Sequence, residues 1–173
     1  RASGSSGAGS PGAEAWGGSV RPGLALYGAY EPPAACGLVL RPVMSLVTRV
    51  AAVKTLAPGD AVGYGARFTA EEPRRVAVLP LGYADGLDRR LEGRGEVLVA
   101  GRRAPIVGSV CMDMVTADVT GLPVAVGDDV VLVGRQGREC ISIADVAGWS
   151  GTIAYEVLCR VGARVERIYN RAA

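Results

Sequence analysis

Residues 96–119 read EVLVAGRRAPIVGSVCMDMVTADV. Two short apolar runs, 96–100 and 105–110, flank Gly101-Arg102-Arg103, and this pattern predicts a hairpin. A further strand is predicted over 114–119. Upstream, 74–81 (RRVAVLPL) reads as a strand and 82–86 (GYADG) as a loop. Further back, 43–56 is a long β-like run, with Val47, Val50 and Val53 set among small and polar residues, and Pro58-Gly59-Asp60 turns the chain. Downstream, Gly121-Leu122-Pro123 leads to another strand over 128–133. Short strands punctuated by Gly and Pro every ~8–12 residues predict an all-β barrel or sandwich.

The two ends of the chain differ from this middle. Residues 20–27 (VRPGLALY) read as a strand interrupted by Pro22-Gly23, followed by a linker at Glu31-Pro32-Pro33. Ser142 is a plausible helix N-cap with Asp145 at the capping-box position, and Gly151 stops that helix. Residues 152–160 (TIAYEVLCR) predict a second short helix, and 163–169 (ARVERIY) alternate as a last strand would. Residues 1–19 are rich in Gly, Ser and Ala without periodicity. The chain opens on Arg1. The expectation is a piece whose N-terminal partner is missing.

Composition limits the chemistry. The 173 residues are 49% hydrophobic and 21% charged, as in a soluble globular protein, with a net charge of +2. That charge is too small to mark a nucleic-acid or membrane surface. No apolar run approaches the ~20 residues of a membrane span, and no signal peptide is legible. There is no histidine, which removes the commonest general base and the commonest metal ligand. Acid–base work must fall to Tyr, Asp, Glu, Cys or Lys54, the only lysine. The four cysteines, Cys36, Cys111, Cys140 and Cys159, form no C-x-x-C pair. They read as small buried residues of a reducing compartment, and no metal site is expected.

Several stretches occur together in one order: VRPGLALYG (20–28), VGYGARF (62–68), LPLGYADG (79–86), RRAPIVGSVCMDM (102–114), VGDDVVLVG (126–134) and GTIAYEVLCRVGARVERIY (151–169). Any one alone is easily met by chance. Together they make nearly the whole chain, from about residue 20, resemble the C-terminal half of alanine racemase. The resemblance implies a mainly β, barrel-like domain with one or two short helices over 31–173. Residues 1–30 would be the end of a pyridoxal-phosphate-binding (β/α)8 barrel and its linker. It also implies a cytoplasmic homodimer that interconverts L-alanine and D-alanine for peptidoglycan, each active site borrowing a residue from the other subunit's β domain. The cofactor lysine belongs to the barrel, and Lys54, in a predicted strand without phosphate-binding context, is no substitute. The piece alone is therefore expected to be inactive.

Racemisation requires the α-proton to leave one face and return on the other, which two opposed bases achieve. In the family these are the cofactor lysine and a tyrosine in a G-Y-G motif, here Tyr64. Spacing alone makes Tyr64 a turn tyrosine; the resemblance makes it the second base. A phenol ordinarily ionises near pH ~10, so a tyrosine base needs positive charge beside it to work near neutral pH. Arg21 matches the arginine facing the pyridine nitrogen, which keeps that nitrogen unprotonated. Gly23 and Leu24 match phosphate-binding backbone amides, Tyr155 a phosphate-binding hydroxyl, and Ser6 a phosphate-binding serine in a poorly matching segment. Cys111, Met112 and Asp113 match a segment in which the methionine amide binds the substrate carboxylate. Tyr83 resembles a channel-lining tyrosine, with Arg89 and Ile153 at outer channel positions. Many family members carry arginine where this chain has Ser109, which would change the charge of the access channel. Two rivals remain: a racemase for serine or for a broad range of amino acids, and a non-catalytic β module for dimerisation or binding.

Overall fold

In the computed structural model the chain divides into two compact units, Arg1–Ser45 and Leu46–Ala173. The structure describes residues 21–29, 37 and 39–169. The proposed linker at Glu31-Pro32-Pro33 and Ser6 lie outside the described residues.

In the first unit, the interrupted strand expected over 20–27 is instead a 3-10 helix, Gly23–Tyr27. Pro22 holds helical angles, φ −70° and ψ −16°, and its carbonyl accepts from the Ala25 N–H at 3.1 Å. A tight turn thus forms where the apolar pattern suggested extension. Gly28, at φ 62°, ends it, and a Cβ there would overlap the Arg41 carbonyl.

The second unit is built on antiparallel strands: β1 (Leu46–Arg49), β2 (Ala52–Leu56), β3 (Ala61–Val62), β4 (Phe68–Thr69), β5 (Arg74–Leu79), β6 (Glu96–Val99), β7 (Arg102–Val107), β8 (Val115–Asp118), β9 (Asp129–Gln136) and β10 (Glu139–Ile141). Two helices follow, α1 (Ile143–Ser150) and α2 (Ala154–Arg160). Hydrogen bonding runs β1-β9-β6-β7-β8-β5-β2, with β10 also on β9, while β3 and β4 form a separate small hairpin.

The run 43–56 resolves the choice between barrel and sandwich. Its first part, β1, pairs with β9, and its second part, β2, pairs with β5. The exchange of partners falls between Val50 and Ala51. The Val50 N–H donates to the Asp128 carbonyl at 2.9 Å, and the Ala51 N–H donates to Val78 at 2.9 Å. One nearly continuous segment therefore joins the two ends of the strand order and closes the sheet into a barrel-like ring. β7 makes a second corner. Arg102–Pro105 face β6, and Ile106–Val107 face β8.

Burial follows closure. Val97, Leu98 and Val99 are consecutive and all buried, as are Val130–Val133, so both faces of these strands are covered. β10 lies against β6, and α1 packs on α2 and on the 3-10 turn Arg89–Leu91. The α1 start carries the expected capping box: Ser142 Oγ accepts from the Asp145 N–H at 3.1 Å, and the Asp145 carboxylate accepts from the Ser142 N–H at 2.7 Å. Gly151, at φ 61°, ends α1. No described helix is long and apolar enough to cross a membrane.

Three sequence expectations shift. The 96–107 hairpin turns at Ala100-Gly101, both at positive φ, so Arg102 and Arg103 belong to β7. β9 runs on to Gln136 and hairpins into β10, which the sequence did not disclose. The alternating 163–169 segment is no strand. It passes through a turn and then an unpaired stretch, with Ile168 and Tyr169 exposed. Among the described residues its alternation has no neighbouring strand to pair with; charged partners hold it instead.

The end of α2 is tied back to the loop between β5 and β6. Arg160 donates to the Asp88 carboxylate, which also accepts from Arg90 at 3.1 and 2.9 Å. These Arg90 hydrogen bonds are the largest influence on Asp88. Partial burial opposes them, while the Arg90 amide and Arg160 add to them, and the carboxyl is held well below the usual carboxylate range. A carboxyl depressed in the folded state stabilises fully above its unfolded pKa, about 4, and loses that contribution as pH falls through the lower folded value. The urea midpoint of the wild-type chain should therefore drop between about pH 6 and about pH 3, and Asp88→Asn should flatten that difference. A second expectation concerns the core. Leu98→Ala, at a fully buried site, should cost about 2–5 kcal/mol in urea unfolding with an unchanged m-value. Val47→Ala, at an exposed position, should stay within about 0.5 kcal/mol of wild type.

Candidate active site

The G-Y-G motif sits on the small β3–β4 hairpin. Val62 pairs with Phe68, and both side chains pack on Leu56, Ala70, Val76 and Val107. The apolar stem is thereby fixed to the barrel wall. Between its strands, Gly63 (φ 76°) and Gly65 (φ 73°) bracket Tyr64, and Ala66 also has positive φ, 49°. Gly63 is needed for space as well as angle, since a Cβ there would come 2.8 Å from the Ser109 nitrogen. On the other side of the contact, Gly108 (φ 68°) would place a Cβ 2.7 Å from the Val62 carbonyl.

Ser109 closes this contact. It is buried, and its hydroxyl donates to the Tyr64 carbonyl at 2.9 Å. The Ser109 hydroxyl is thus spent on the turn's backbone. The Tyr64 side chain, by contrast, is 80% exposed. A pinned backbone presents a free phenol.

From Ser109 the chain runs into the second half of the site. The Cys111 N–H donates to the Met114 carbonyl at 2.9 Å, closing a loop that leaves Met112 exposed. The Met112 N–H makes no hydrogen bond to another described residue. The Tyr83 turn docks on this loop through two backbone bonds, Tyr83 N–H to Cys111 C=O at 3.0 Å and Ala84 N–H to Met112 C=O at 3.1 Å. Gly82 permits the approach, because a Cβ there would overlap the Met112 carbonyl. The neighbourhood follows from topology. β8 is antiparallel to both β5 and β7, so the chain leaves β5 and β7 at the same end.

Two of the charges here, Asp85 and Arg164, lie on residues that the sequence did not single out. Asp85 accepts the Gly82 N–H at 2.8 Å and the Arg164 Nε–H at 2.7 Å. Partial burial pushes the Asp85 carboxyl up, but the Arg164 hydrogen bonds, the Gly82 amide and the Arg164 charge together bring it below its ordinary value. The Arg164 guanidinium is correspondingly raised, first by Asp85 and then by Asp113. Asp85 and Arg164 both stand inside quoted motifs, yet they are 79 positions apart. Only the fold pairs them.

The remaining candidates are placed as follows. Tyr83, Tyr155 and Ile153 are exposed, Tyr155 on the first turn of α2 and Ile153 as its N-cap. Arg89 is exposed at the start of a 3-10 turn whose last residue, Leu91, is buried. Arg21, Gly23 and Leu24 belong to the first unit, where Arg21 is exposed and Gly23 has φ 55°. The cysteines depart from the buried, inert reading. Cys111 and Cys140 are only half-buried and Cys159 is exposed, all three as free thiols.

Comparison with known proteins places this arrangement. The family model described as "Alanine racemase, C-terminal domain" matches residues 43–169. The alanine racemase of Geobacter sulfurreducens is 48% identical over 153 residues, covering 87% of this chain and 40% of that protein. That of Deinococcus radiodurans is 48% identical over 148 residues, covering 86% and 41%. Among solved structures, alanine racemase from Bacillus anthracis with bound L-Ala-P superposes with TM-score 0.80 at 40% identity, over 88% of this chain and 39% of that one. Alanine racemase from Bartonella henselae with covalently bound pyridoxal phosphate gives 0.79 at 35% identity, over 87% and 41%. The chain spans about 40% of the length of the curated relatives it matches. The shared motifs, the antiparallel barrel and the matched domain agree, and the chain belongs to the alanine racemase family as a bearer of its C-terminal domain.

Proposed function

We propose that the protein carrying this chain is an alanine racemase that interconverts L-alanine and D-alanine with pyridoxal phosphate, and that Tyr64 is one of its two bases. The observation that carries this is the pinned turn with its exposed phenol. In a chain without histidine, a side chain presented this way to another surface suits a proton carrier. Tyr64 Oη would take the α-proton from one face of the amino acid or return it there. A partner subunit would supply the opposite base and the positive charge that lets a phenol work near neutral pH.

The other residues bind and orient. The Met112 N–H, with no partner among the described residues, is a donor for the substrate carboxylate. Cys111 and Asp113 hold it in place from either side, and Tyr83 lines the approach. Each unit offers groups suited to an anionic aromatic cofactor: the first an exposed arginine (Arg21) and a left-handed glycine in a tight turn (Gly23, with Leu24 next), the second an exposed tyrosine (Tyr155). Arg21 would meet the ring nitrogen, and Gly23, Leu24, Tyr155 and Ser6 the phosphate. When bound, the cofactor supplies the electron sink for the pair left at the α-carbon. The product D-alanine and a cytoplasmic homodimer serving peptidoglycan synthesis belong to the same reading.

The intact protein, supplied with pyridoxal phosphate, should convert L-alanine to D-alanine. Tyr64→Phe should lower kcat/KM by roughly 10²–10⁴-fold. In deuterated water the variant should still exchange the α-proton of one enantiomer while nearly losing exchange of the other. Equal exchange of both enantiomers by the Phe variant removes Tyr64 from the chemistry. Turnover of L-serine without turnover of L-alanine by the wild type overturns the substrate.

A further inference from the structure

We infer that Arg164 is a positioning residue, which reaches in from the tail after α2 and fixes the Tyr83 turn and the Met112 loop to each other. Its guanidinium touches both. Nε and Nη2 fork onto the Asp85 carboxylate at 2.7 and 3.0 Å, and Asp85 is the carboxylate that caps the Tyr83 turn through the Gly82 N–H. Nη2 also donates to Asp113 Oδ1 at 2.7 Å and to the Met112 carbonyl at 3.4 Å.

The tail that brings Arg164 here is itself held in register. The Gly162 N–H donates to the Asp85 carbonyl at 3.0 Å, and a Cβ on Gly162 would lie 2.9 Å from the Ala84 carbonyl. A Cβ on Gly86 would lie 2.5 Å from the Arg160 carbonyl. Arg167 folds back to donate to the carbonyls of Val161, Gly162 and Val165. The tail is thus a strap laid across residues 82–86, and Arg164 is where it crosses to the neighbouring loop.

The chemistry requires arginine. Asp85 and Asp113 bring two carboxylates to adjoining loops, and without a shared cation they repel. A planar fork can serve a bidentate partner and a second carboxylate at once, whereas a lysine ammonium is a single point charge. Exposed ion pairs contribute little to global stability. Arg164 is half exposed, so its effect should fall on loop geometry and not on the melting of the domain. With the Met112 amide as carboxylate donor, loop geometry becomes substrate affinity; this second half rests on the reading proposed above.

Amide hydrogen exchange and steady-state kinetics on the intact protein test this, with Arg164→Ala and Arg164→Lys. In the Ala variant the Tyr83 and Ala84 amides should exchange about tenfold faster or more, with Lys intermediate and the amides of β5 and β6 unchanged. Unchanged exchange at Tyr83 and Ala84, or equal acceleration at every amide, overturns the positioning role. In the racemase assay the Ala variant should raise KM for L-alanine about tenfold more than it alters kcat, with partial recovery in Lys. Faster loop exchange with an unchanged KM overturns the link to substrate while the strap stands. If the wild type does not racemise alanine, the proposed function fails, and the exchange data still decide the strap.

Discussion

The structure depends on one exchange of hydrogen-bond partners. At Val50 and Ala51 the chain stops pairing with β9 and starts pairing with β5. That switch joins the two edges of a long antiparallel sheet. Within the resulting ring β8 pairs antiparallel with both β7 and β5, so the loops leaving those two strands emerge at the same end. The Tyr83 turn and the Met112 loop are neighbours for this reason, although neither contains any instruction to find the other.

The site is then assembled largely from backbone. Gly63, Gly82 and Gly108 each occupy a place where a Cβ would collide with a main-chain atom of an adjacent loop. Glycine is usually read as freedom, but at these positions it allows close packing, and close packing makes the loops stiff. Stiffness is useful to a side chain that must stay exposed. Tyr64 cannot be held by packing of its own ring, so its carbonyl is held instead, by Ser109. The division of labour is plain: main chain for position, side chain for chemistry.

Charge supplies what backbone contacts cannot. Arg164 with Asp85 and Asp113, and Arg160 with Asp88, connect the C-terminal tail to loops that lie far back in the chain. Arg164, Asp85, Asp113 and Arg160 stand in the quoted motifs beside more conspicuous tyrosines and a methionine, and Asp88 lies two residues beyond one of them. Each looks like an ordinary surface charge until its partner is known. The tail was expected to be a strand because it alternates, yet alternation needs a neighbouring strand to mean anything. The turn expected at 101–103 falls at Ala100-Gly101 for a related reason: arginines are common in turns, but Arg103 belongs to β7 and bridges Glu96 and Glu139.

The sequence by itself determined what depends on near neighbours. The strand runs, the Ser142–Asp145 capping box, the Gly151 stop and the ordered motifs all lie within a few residues of their physical cause. So did the family, because a series of short motifs in one order is strongly constrained. Only the tertiary structure decided that the sheet closes, that Ser109 serves Tyr64, and that Arg164 joins two loops. The last two rest on hydrogen bonds between residues 45 and 79 positions apart, and the closure on strand pairs equally remote from any local signal. Such contacts are set by which strands pair, and pairing is a property of the whole ring and of no single segment.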